Sequence, residues 1–271
     1  MLIDGFGLDI AALLFGVAVV AGFIDSIAGG GGLLVIPVLF SVGLPPAAVF
    51  GTTKLQATCG SLSASLAFVR KGEVDLRSMA PIIALTFVGS LIGALILTQV
   101  DPEFLRDLVP FLLIAIALYM LFGKKVGAEE SHRRLAPLAF ALLFGLGLGF
   151  YDGFFGPGTG TFWAMAFVSV AGYSLRRATA HAKVVNFTSN FAAFLILAVT
   201  GQVLWALGAI MAVGQFLGAR IGAGMVMKNG ATVIRPMLVI MSLAITARLL
   251  WDNPDHPIRL FAVAIYQAIA S

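Results

Sequence analysis

The amino-acid sequence predicts an all-α, polytopic membrane protein made of two inverted structural repeats, each with a short broken helix, plus a C-terminal helix. Three observations predict it. The 271 residues are 60% hydrophobic and 11% charged, with a mean hydropathy of +1.02, more apolar surface than a water-facing domain can hide. Several stretches of about 20 residues carry almost no charge, the length needed to cross about 30 Å of hydrocarbon. An acid followed by helix-breaking glycines is written twice. Gly22-Phe23-Ile24-Asp25-Ser26-Ile27-Ala28 runs into Gly29 to Gly32, and Gly149-Phe150-Tyr151-Asp152-Gly153-Phe154-Phe155 runs into Gly156-Pro157-Gly158.

Composition excludes other classes. Transmembrane barrel strands alternate polar and apolar residues, and the run Phe111 to Leu118 does not. The net charge of +4 comes mostly from loop lysines and arginines and implies no nucleic-acid partner. Cys59 is the single cysteine, so there is no internal disulfide and no multi-thiolate metal site. Asp4 and Asp9 stand where a signal peptide would carry basic residues, so 9–28 reads as a retained first helix. There is no phosphate-binding loop with its Lys-Ser/Thr, no His/Glu metal spacing and no nucleophile elbow. No cofactor and no enzyme activity are expected.

In chain order, the first repeat (9–122) gives apolar segments near 9–28, 33–43, 49–69, 79–99 and 104–122. A hydrophilic loop, 123–134, follows. The second repeat (135–251) gives 135–155, 160–172, 179–199, 203–223 and 233–251, and a terminal helix is expected at 258–270. The halves align residue by residue: Asp25 and Gly29 with Asp152 and Gly156, then, after a two-residue shift, Lys54 with Lys183, Ser61 with Asn190, Gly72 with Gly201 and Arg106 with Arg235. Gly89-Ser90-Leu91-Ile92-Gly93 matches Gly214-Gln215-Phe216-Leu217-Gly218, a small-xxx-small face that lets helix backbones approach. All of 1–271 therefore reads as one transmembrane domain.

Charge arbitrates the topology. If each short segment connects opposite sides, every repeat makes five crossings and the second repeat is inverted. Arg70, Lys71, Arg77, Lys124, Lys125, Arg133, Arg134, Arg176, Arg177, Arg220, Lys228 and Arg235 then share one side, leaving Arg106, Arg248 and Arg259 on the other. Re-entrant short segments with parallel repeats divide the same residues more evenly. The positive-inside rule selects the first arrangement, with the N-terminus outside and the C-terminus cytoplasmic, and Trp205 and Trp251 near the outer boundary.

Two basic residues and two acids remain deep in apolar segments: Lys54, Lys183, Asp25 and Asp152. A charge at the bilayer centre costs about 2.5–3.5 kcal/mol even on the lenient scale, so each needs a partner. One reading pairs Asp25 with Lys54 and Asp152 with Lys183 as structural ion pairs inside each repeat, or has each Asp accept amides of its own glycine turn. The other reading makes them part of a substrate pathway at broken helices. Gly29, Gly30, Gly31, Gly156 and Gly158 leave amides free before the short helices, where an N-terminus attracts anions. Lys183, Asn186 and Asn190 share one helical face, with Thr58 and Ser61 on the corresponding face after Lys54, and their polar groups could take anion oxygens or bond between helices. His181 could carry a proton or be a hydrogen-bonded structural histidine. Asp25 and Asp152 could couple movement to protons or hold the lysines in place.

The runs GFIDSIAGGGGLL (Gly22 to Leu34), TTKLQATCGS (Thr52 to Ser61), GFYDGFFGPGTG and ATAHAKVVNFTSN resemble the sulfite exporter TauE/SafE family, closest to its YfcA-like branch. The resemblance implies an inner-membrane secondary transporter of duplicated halves. It also implies a sulfite, organosulfonate, other sulfur-containing or carboxylate substrate, usually exported. Pro157 and Thr159 replace Gly30 and Gly32 in the second repeat, so the half-sites are not expected to be equivalent. The expected partners are a small anion, the lipid bilayer and, in a homo-oligomer, further copies of the chain. The rival functions are an anion channel, an intramembrane lipid-modifying enzyme and a scaffold.

Overall fold

The computed structural model describes residues 3–101, 104 and 130–229. Segments 105–122, 233–251 and 258–270 and loop residues 123–129 lie outside them, and with them Arg106, Lys124, Lys125, Arg235, Arg248, Arg259 and Trp251. The described chain is helical: α1 (Leu8–Ala28), α2 (Gly31–Ser41), α3 (Pro46–Arg70), α4 (Ala80–Leu97), α5 (Pro137–Phe154), α6 (Thr159–Ser169), α7 (Leu175–Val199) and α8 (Trp205–Asn229). Five of these, α1, α4, α5, α7 and α8, are long and apolar enough to cross a membrane. Helix α3 has 25 residues, but Thr52, Thr53, Lys54, Gln56, Thr58 and Ser61 make it more polar. All six are buried among other helices. A π-helical turn at Ala141–Gly145 interrupts α5.

The two short helices have 11 residues each and reach about 16 Å, half of a bilayer core. Helix α1 stops because Gly29 takes the left-handed conformation (φ +79°) and returns its N–H to Asp25 O at 2.8 Å, a cap that glycine adopts without a Cβ penalty. The chain then doubles back. A side-chain carbon on Gly31 would lie 2.8 Å from Ala21 O and from Asp25 Cβ, so α2 starts alongside the last turns of α1.

Two apolar clusters mark the ends of the bundle. The first gathers Leu14 (α1), Leu39 (α2), Phe50 (α3), Leu97 (α4), Leu197 (α7) and Leu207 (α8). The second gathers Phe68 (α3), Ile82 (α4), Phe140 (α5), Phe167 (α6), Ala178 (α7) and Val226 (α8). Helices α1 and α3 begin at the first end and α5 and α7 at the second. Each short helix returns to the end where its long partner began: α2 to the first, α6 to the second. Among the described residues the loops fall where the charge pattern put them. The expected crossing by each short segment does not occur: an 11-residue helix is too short to connect opposite ends, and each returns in a hairpin with its long partner. Among the described residues, every lysine and arginine other than Lys54 and Lys183 lies toward the second end, from Arg70, Lys71 and Arg77 to Lys228. Trp205 opens α8 at the first end and is exposed.

The glycine stripes do the packing expected of them. Helix α4 lies on α5, where a carbon on Gly93 would sit 2.7 Å from Phe154 N. Helix α8 lies on α1, where a carbon on Gly218 would sit 2.9 Å from Phe23 N. The first long helix of each half is therefore seated on the fourth helix of the other.

Candidate functional site

The two helix breaks meet. Gly29 packs on the backbone of Gly160 and Thr161, and Thr161 Oγ1 donates to Ala28 O at 2.5 Å. Only glycine at both tips lets the backbones come this close, since a side-chain carbon on Gly160 would fall 2.6 Å from Gly29 Cα.

Around this junction the four buried charges pair crosswise. Lys54 Nζ, on α3, bonds Asp152 Oδ1 of α5 at 2.7 Å, and Lys183 Nζ, on α7, bonds Asp25 Oδ2 of α1 at 3.1 Å. The pairs within each repeat, Asp25–Lys54 and Asp152–Lys183, do not form. Helices α3 and α7 lie against each other, and at that seam each lysine reaches across to the aspartate of the other half. Each lysine also donates to the backbone carbonyl of its aspartate. Those carbonyls lie in the last turns of α1 and α5, where the helix dipole is negative. All four groups are buried, from Asp152 and Lys183 at 1% exposure to Asp25 at 9%, so each ion relies on its partner in place of water.

Accessory bonds differ between the pairs. Lys54 has a third acceptor in Asn190 Oδ1 at 3.2 Å, and Asp152 Oδ2 accepts from Ser189 Oγ. Asn190 is in turn held by Asn186 O at 2.7 Å. Asp25 Oδ1 accepts from Gly31 N at 3.2 Å, so one amide of the glycine turn does serve its own aspartate.

A cavity of about 30 Å³ opens beside the junction, room for a water or two. Of the sequence-predicted residues, Asp25, Gly29, Lys54, Asp152, Gly156, Gly158, Asn186 and Asn190 line it. Gly30 and Gly31 belong to the turn and first residue of α2, off the cavity wall. Thr58 and Ser61 do not reach it either, because their hydroxyls bond back to Lys54 O (2.7 Å) and Ala57 O (2.6 Å) of their own helix. Lys183 is not on the wall, although its partner Asp25 is. His181 lies elsewhere, on a second cavity of about 170 Å³ with Arg133, Ile82 and Phe140. There Nδ1 bonds Arg177 O at 2.8 Å, and the Tyr173 ring stands 4.8 Å away.

Sequence reasoning missed Thr53 and Gln215, both on the wall and both buried. Among the described residues, Thr53 Oγ1 and Gln215 Oε1 have no hydrogen-bond partner. A signal existed for Gln215: it stands, polar, inside a stripe whose glycines are there for packing.

Taken together, the fold and site define a multi-pass helical membrane protein with paired charges at two broken helices, the class of membrane transporters. The chain belongs to the sulfite exporter TauE/SafE family, whose model matches residues 14–249. It is 51% identical over 247 residues to a probable membrane transporter protein of Haemophilus influenzae, covering 91% of this chain and 97% of that one. It is 50% identical over 246 residues to the probable membrane transporter protein YfcA of Escherichia coli K12, covering 91% of each. It is 47% identical over 250 residues to the probable membrane transporter protein ORF9 of a Sinorhizobium species, covering 92% of this chain and 95% of that one. No solved structure matches the chain significantly.

Proposed function

We propose that the protein is a secondary transporter that exports a small anion, sulfite, an organosulfonate or a related sulfur-containing or carboxylate anion, across the inner membrane. The two halves act as inverted repeats, and rocking of one against the other gives alternating access. The end rich in Lys and Arg faces the cytoplasm and the N-terminal end faces outward. The observation that carries this reading is the crossed pairing of Lys54–Asp152 and Lys183–Asp25 where two half-length helices meet tip to tip. Intramembrane charges are costly, and such a quartet beside helix breaks is the usual form of a substrate pathway.

Both lysines are engaged by carboxylates, so an anion must compete with an aspartate or arrive with a proton that neutralises it. Proton coupling through Asp25 or Asp152 follows from that competition. His181 stands apart from the quartet and is left out of it. The test is flux in vesicles reconstituted with purified protein under an imposed pH gradient. Wild type should move one of these anions against its gradient, and Lys54→Met should abolish movement. Gradient-independent flux in wild type, or unchanged flux in Lys54→Met, sinks the reading.

A further inference from the structure

We infer that the two lysines have different jobs: Lys54 holds the anion in a subsite completed by Thr53 and Gln215, whereas Lys183 is a positioning residue that fixes the hairpin tips. This rests on the transporter reading above and deepens it. The cavity is walled by Lys54 and Asp152 and not by Lys183. Of the second pair only the aspartate, Asp25, reaches the wall.

An ammonium has three protons to donate, and on Lys54 all three are used. Two go to Asp152, one to its carbonyl and one to Oδ1 at 2.7 Å, and the third to Asn190 Oδ1 at 3.2 Å. Asn190 is the neutral and most distant side-chain acceptor of the set. An anion oxygen arriving from the cavity displaces it with the smallest loss, so Asn190 keeps the substrate's place in the empty protein. The remaining contacts are already built. Thr53 is 6% exposed and Gln215 is 2% exposed; both residues line the cavity, and Thr53 Oγ1 and Gln215 Oε1 are buried with no described partner. Buried polar atoms without partners are rare because each costs free energy. The Thr53 hydroxyl donates directly to an oxyanion there, whereas the open atom of Gln215 is its carbonyl oxygen, so Gln215 donates to the anion with its amide turned end for end. Gln215 can present either end of its amide to the ligand.

The experiment measures anion affinity by thermal unfolding of the full chain titrated with sulfite, thiosulfate, sulfoacetate and acetate. Each lysine is removed together with its aspartate, so that no buried charge is stranded. Lys54→Met with Asp152→Asn should weaken binding by about 10-fold or more, the loss of a charge-assisted hydrogen bond. Lys183→Met with Asp25→Asn removes no donor to the anion and should weaken binding by less than about 3-fold, while transport in vesicles slows. Thr53→Val and Gln215→Leu leave all four charges in place and decide the matter if the paired variants fail to fold. Each should weaken binding by about 3- to 10-fold, the worth of one neutral hydrogen bond. Equal weakening in both paired variants, or wild-type affinity in Thr53→Val and Gln215→Leu alike, overturns the division of labour and leaves the transporter standing. No anion-dependent stabilisation in wild type removes the transporter reading and this inference with it.

Discussion

The Lys54–Asp152 pair and the Lys183–Asp25 pair are the same chemistry in two settings. Around the first, α7 supplies Ser189 to the carboxylate and Asn190 to the ammonium. The corresponding positions of α3, facing the second, hold Gly60 and Ser61. Ser61 turns its hydroxyl back to Ala57 O. Gly60 offers no side chain and makes room for Gln215, whose amide carbon a Cβ there would approach to 3.2 Å. One pair is tied down from its surroundings and puts both members on the cavity wall, and the other puts only Asp25 there.

The largest expected effect breaks the first pair. Lys54→Met alone strands a buried carboxylate and should destabilise the protein by about 3–5 kcal/mol, read as a lower unfolding midpoint in detergent. Adding Asp152→Asn should recover most of that loss, and no recovery would mean that the pair was not the cause. Next comes the packing that brings the halves together. Gly93→Leu forces a side chain against the backbone of α5 near Phe154 and should cost about 1–3 kcal/mol or more, seen as a loss of monodisperse protein. Gly16→Leu, on α1 where nothing lies within 4 Å of an added carbon, is the matched control and should behave as wild type. Smaller is Ser189→Ala, which removes a bond to a buried carboxylate and should cost about 1.5–3 kcal/mol. Ser61→Ala, its counterpart, loses only a bond to its own helix and should stay within about 0.5 kcal/mol of wild type. Equal effects of the two serine variants would erase the contrast between the pairs.

Much of this was legible in the sequence. Hydropathy and the two acid–glycine runs located the long helices, the 11-residue helices and the buried charges, because a bilayer leaves few alternatives for apolar segments and isolated ions. The partner of each charge was not legible. Asp25 and Lys54 belong to the same half of the chain, and only the folded structure shows each lysine bonded to the aspartate of the other half. Thr58 and Ser61 misled for a local reason. A hydroxyl on a helix can bond to the carbonyl four residues back, and spacing on a helical wheel does not reveal that choice. His181 misled because two residues along a helix from Lys183 is nearly the opposite face, where it meets Tyr173 and Phe167.

The crossed quartet also bears on how the bilayer voltage acts. Two ammonium groups and two carboxylates at one depth sum to nothing, whereas a single unbalanced charge carried across the field is worth about 2.3 kcal/mol per 100 mV. With all four charges balanced, the electric field has almost no handle on the protein at this place, and any net charge it acts on there has to come from a bound ion.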